Sequence, residues 1–156
     1  MGQGVGIKEV AWPDCPGSGQ VVVAGNHAYL GHMDPPHGTS VVDVSDPRHP
    51  RIVWEPEIPV GLHSHKVRVG NGIKVVNREG HRGGKVPDGD FVGLRVFDIA
   101  NPSQPREICQ CRCGGMGVHR FTFDGRYAYI SPEVEGYVGN IVMVLDRADP
   151  AYCHRA

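Results

Sequence analysis

No apolar run in this 156-residue sequence approaches the ~18 residues that crossing a bilayer requires, so no membrane association is expected. No stretch of about ten residues shows helical periodicity, which points away from helices. The first residues, Met1-Gly2-Gln3-Gly4-Val5-Gly6-Ile7-Lys8, lack the apolar segment of a signal peptide, so a cytoplasmic location is the default expectation. Gly6 stands where a myristoylation signal has Ser or Thr. Neither sign of charge dominates: Lys+Arg 16 against Asp+Glu 17 gives a net charge of −1. No basic stripe appears, and nucleic acid is not an expected partner. A Gly-x-Ser-x-Gly elbow and a Gly-x-x-x-x-Gly-Lys-(Ser/Thr) loop are both absent, which removes two common catalytic designs. The five cysteines are an odd count in a chain without secretory features, so a disulfide framework is not expected. Cys109, Cys111 and Cys113 would lie in a row on one face of a strand, ~6.5 Å apart, which suits zinc poorly. They read as the reduced, partly buried end of a strand.

What the sequence does have is punctuation. Its 22 glycines and 13 prolines fall between short Val/Ile/Tyr/Phe-rich runs, the pattern of an all-β protein. A motif Asp-x-(Ser/Ala)-(Asp/Asn)-Pro closes three of these runs: Asp43 to Pro47, Asp98 to Pro102 and Asp146 to Pro150. The copies begin 55 and then 48 residues apart, a period suited to four-stranded units rather than helical repeats. Each Asp is positioned to accept from backbone N–H groups of the turn, and Pro removes a ladder donor, so the motif reads as a turn device. Upstream, His65-Lys66-Val67-Arg68 aligns with His119-Arg120-Phe121-Thr122, and Gln20 takes the histidine's place in the first unit. The division that follows is an irregular segment 1–19, then units of about 20–60, 61–113 and 114–150 within a repeat region 20–156.

The stretch Gly38-Thr39-Ser40-Val41-Val42-Asp43-Val44-Ser45-Asp46-Pro47-Arg48-His49-Pro50 resembles the LVIVD repeat family of β-propellers. Gly93-Leu94-Arg95-Val96-Phe97-Asp98-Ile99-Ala100-Asn101-Pro102-Ser103-Gln104-Pro105 resembles it almost as closely. The resemblance implies an all-β chain of β-propeller blades, four-stranded antiparallel units, in an incomplete ring. It assigns no activity. More distantly, the chain is similar to propellers whose axial histidines hold a metal, such as the methanethiol oxidase type and the carotenoid-cleaving oxygenases. Propellers carry typically four to eight blades. About three blades therefore lead to the expectation of a fragment of a longer protein, or of self-association that closes the ring.

Blade topology also sorts the nine histidines. Loops that enter first strands and loops that join second to third strands open on the same end. His32, His37, His63, His65, His81 and His119 all fall there. First strands run nearest the axis, so His65 and His119, with His63, are the candidate ligands of a divalent transition metal. His37, Arg78, Glu79 and His81 are the candidate contacts of a small molecule or protein. Three readings stay open: a metal site, a metal-free polar pocket, and histidines that merely satisfy strand ends. For function these give a repeat protein binding a partner or ligand at its His-rich end. The alternative is a metal-dependent oxidoreductase or hydrolase.

Overall fold

The computed structural model describes residues 6–15, 17–81 and 84–148. Among them every regular element is a strand and every strand pairing is antiparallel. The first sheet runs in chain order through β1 (Ser18–Ala24), β2 (His27–His32), β3 (Thr39–Asp43) and β4 (Arg51–Trp54). The second begins with a two-residue strand β5 (Leu62–His63). It continues through β6 (Val67–Gly70), β7 (Ile73–Gly80), β8 (Gly93–Asp98) and β9 (Arg106–Arg112). The third comprises β10 (Phe121–Phe123), β11 (Tyr127–Ile130) and β12 (Met143–Asp146). These are propeller blades in an open arc. The first strands form the inner edge, with β6 packed between β1 and β10.

The repeated motif acts as a turn. The N–H groups of Ser45, Ala100 and Ala148 each donate at 2.9 Å to the Oδ1 of Asp43, Asp98 and Asp146 respectively. Asp43 and Asp98 use their other oxygen to hold the arginine eight residues on, Arg51 at 2.8 Å and Arg106 at 3.0 Å. The Ser45 hydroxyl and N–H, with Arg51, hold the Asp43 carboxyl below the usual range, and the Ala100 N–H and Arg106 do the same for Asp98. All three carboxylates are occupied by local structure. Asp149 and Pro150 of the third copy lie outside the described residues.

Strand register corrects the alignment of the first unit. Ala24 opposes His27 and Gly70 opposes Ile73 at the two inner hairpins, while Val21 opposes Leu30 and Val67 opposes Val76. Counting back from Val21 and Val67 puts Gly19, not Gln20, at the place of His65. The similar letters Gly25-Asn26 and Gly70-Asn71 sit one step apart in their turns, which shifts the sequence alignment by one residue. Gly19 is glycine for a steric reason: a Cβ there would lie 2.9 Å from the carbonyl oxygen of His65.

β7 is buried on both faces because a blade packs on each side. Val75 joins Leu94, Phe121 and Leu145 towards the third blade, and Val76 joins Tyr29, Val67 and Phe97 towards the first. Complete burial of such a side chain is worth roughly 1.5–3 kcal/mol. The outward faces are different: Val21 and Val23 of β1, and Tyr129 and Val144 of the third blade, are exposed. The cysteine row is only partly as expected. Cys111 is a buried free thiol, and burial pushes half-buried Cys113 up to about 11. Cys109, by contrast, is disulfide-bonded. An odd count excludes a complete set of bridges but leaves room for one.

Lys74 breaks the apolar pattern. By register it occupies the place of Ala28 and Ala128 in the other blades. Its side chain is fully buried, with Nζ lacking a hydrogen-bond partner among the described residues and lying 3.9 Å from the Trp54 ring centroid and 4.5 Å from that of Phe97. Burial, and then the charge of Arg95, lowers its pKa well below the usual value. The unfolded chain therefore binds more protons between the two pKa values, and stability rises with pH across that window. Lys74→Met is expected to raise the unfolding free energy at pH 7 by about 1 kcal/mol in urea titrations and to flatten this slope. A less stable variant would mean that the cation–π contacts outweigh the cost of burial.

Candidate functional site

β7 outruns its partner β6. Beyond Val76 its inner neighbour is the entering chain: Asn77 N–H donates to Lys66 O at 3.1 Å, and Glu79 opposes His63 of β5. The intervening Ser64, His65 and Lys66 therefore bulge against the end of the first blade. Room for the bulge comes from Gly31, where a Cβ would fall 2.5 Å from the His65 carbonyl carbon. Asn77 clamps it from the other side. Its Oδ1 accepts from Lys66 N–H at 2.8 Å, and its Nδ2 donates to Val118 O at 2.9 Å, tying in the third blade's entry.

Glu79 is the centre of this arrangement. His63 Nε2 lies 3.0 Å from its Oε2, His119 Nδ1 3.0 Å from its Oε1 and His65 Nδ1 3.6 Å from Oε2. The rings of His63 and His65 are 4.4 Å apart, those of His65 and His119 5.1 Å, and those of His63 and His81 5.5 Å. Burial alone would push the Glu79 carboxyl up. The hydrogen bond from His63 and the charges of His119 and His63 outweigh it and hold the carboxyl below its usual value. Donor atoms of His63, His65 and Glu79 all lie within 4.8 Å of one another, a group that could hold a metal ion. His63 Nδ1 lies 3.2 Å from the carbonyl of Met33, an anchor that leaves Nε2 for ligation. His65 Nε2 is buried and has no hydrogen-bond partner among the described residues.

These groups line a cleft of about 570 Å³ with Met33, Gly80, His81 and Met116. That volume suits a small molecule. The proposed ligand contacts divide. Glu79 and His81 are in the cleft, His81 with its Nε2 3.1 Å from Asp34 Oδ1. Arg78 is not. Because side chains alternate along β7, Arg78 points away from Asn77 and Glu79 and binds Asp90 with Nε at 3.0 Å. His37 also lies elsewhere, its Nδ1 3.3 Å from Glu55 Oε1. Asn77 was not singled out by the sequence; a polar residue directly after the apolar run Ile73-Lys74-Val75-Val76 was the available signal.

The LVIVD repeat family model matches residues 17–55 and 89–112. The chain carries LVIVD repeats. The matched segments take in β1 to β4 and β8 to β9, so the LVIVD pattern describes the scaffold. His63, His65, Glu79, His81 and His119 all fall outside those segments. A comparison with curated proteins finds no match.

His65 sets the site's pH behaviour. Burial, followed by the charge of His63, lowers its pKa to about 4. The folded value lies below the ~6.5 of an unfolded histidine. Its contribution to stability is therefore full above that pH and is lost as pH falls through about 4. In the metal-free chain, NMR titration should find the His65 ring neutral at pH ~6, where an ordinary histidine is largely protonated. A ring titrating at the ordinary value would contradict the buried geometry.

Proposed function

We propose that the His-rich end of this LVIVD-repeat protein binds a divalent transition-metal ion and presents it to a small ligand in the cleft. His63, His65 and Glu79 are the protein ligands, and His119 supports Glu79 from the neighbouring blade. The observation that carries this reading is the gathering of one donor atom each from His63, His65 and Glu79 within 4.8 Å, on a His65 ring whose Nε2 is buried with no hydrogen-bond partner among the described residues. A buried polar atom without a partner costs about 1–3 kcal/mol, a cost that a bond to an ion would relieve. Two imidazoles and one carboxylate suit Zn²⁺ or Fe²⁺, and three protein ligands leave positions open towards the cleft. An ion held so would polarise a carbonyl or a bound water. His81, beside Asp34 on the same cleft, is placed to exchange a proton with the ligand.

The test is metal analysis of the purified chain after chelation and reloading with Zn²⁺ or Fe²⁺. Replacing both His63 and His65 by Ala should lower loading by about one equivalent per chain. Circular dichroism must show the sheet intact. Unchanged loading would overturn the metal reading and leave a metal-free polar pocket.

A further inference from the structure

A second group of donors stands at the end of the first blade. His32 closes β2 and is fully buried. Its Nε2 lies 4.0 Å from Cys15 Sγ and 3.7 Å from Glu55 Oε1, and donor atoms of the three residues are all within 4.8 Å of one another. His37 Nδ1 approaches the same Glu55 oxygen at 3.3 Å, and its ring is 5.5 Å from that of His32. Three donors from separate stretches of chain converge here, from the segment before β1, the end of β2 and the residue after β4, and His37 of the β2–β3 loop stands beside the last of them. Backbone bonds hold the loop in place, with Gly38 N–H donating to Pro56 O at 3.0 Å and Ile58 N–H to Pro36 O at 2.7 Å.

We propose that Cys15, His32, His37 and Glu55 form a second, closed metal site that takes Zn²⁺ and clamps the chain before β1 onto the first blade. One thiolate, two imidazoles and a carboxylate make a tetrahedral set that favours Zn²⁺ over harder cations. With four protein donors no position stays open, so the site is structural. Ser40 supplies the outer support. Its Oγ donates to Glu55 Oε1 at 2.7 Å and lies 2.7 Å from His32 Nε2, so it can keep orienting the carboxylate once the imidazole turns to the ion. A clamp has something to hold, since Ile7 and Trp12 are each 83% exposed and the segment packs little of itself against the blade. The site shares no ligand with the Glu79 cleft, so either can fail alone.

The experiment is a Co²⁺ titration of the full chain, read by the thiolate-to-cobalt charge-transfer absorption. The band should appear in the wild type, persist when His63 and His65 are both replaced by Ala, and vanish in Cys15→Ser. A second readout needs no variant: Zn²⁺ should slow iodoacetamide alkylation of Cys15, followed by peptide mass spectrometry, by about tenfold or more. A band that survives Cys15→Ser, or alkylation of Cys15 at the same rate with and without Zn²⁺, would overturn the proposal.

Discussion

The carboxylate of Glu79 is shared among imidazoles from two blade entries, and the His-rich end depends on that sharing. Glu79 can serve His63, His65 and His119 together only because β7 runs past β6 and carries it to the inner edge. The carboxylate stays ionised despite its burial because His63 and His119 face it. Asn77, two residues earlier on the same face, fixes the His65 bulge and the Val118 carbonyl, so the two blade entries keep one spacing. Two glycines of the first blade, Gly19 and Gly31, give the bulge its room. Three blades thus contribute to one cleft, although two of the three residues proposed to hold an ion, His63 and His65, lie two positions apart.

Scaffold and site are written in different parts of the chain. The LVIVD segments supply turns and strands whose aspartates are fully engaged with backbone and arginine. Apart from Met33, the residues that line the cleft come from the stretches between and after them. Such a division is expected of a repeat scaffold, where regular strands set the frame and the connections at one end carry chemistry.

Much of the architecture was legible because its determinants are local. An Asp that accepts from the residue two positions on, followed by Pro, is a turn in any context, and three copies mark three blades. The gathering of His63, His65, His119 and Glu79 at one end was legible for a topological reason: alternating strand direction sends those loops the same way. Arg78 was grouped with the loop that carries His81, whereas β7 continues to Gly80 and its period of two turns Arg78 away from the cleft. Gln20 was matched to His65 because the inner hairpins repeat the letters Gly-Asn at different turn positions. Lys74 and Cys15 were not legible at all. A lysine inside an apolar run looks like a solvated residue until blades cover both faces, and Cys15 lies in a segment without periodicity.

The central claim is that His63, His65 and Glu79 hold one ion together. An anomalous difference map from crystals of the Zn²⁺-loaded chain, collected at the zinc edge, tests it most directly. A peak is expected in the cleft with two imidazole nitrogens and a Glu79 oxygen at about 2.0–2.2 Å. A map whose zinc peaks all lie elsewhere, for example on the exposed His49, with the Glu79 cleft empty, would contradict it.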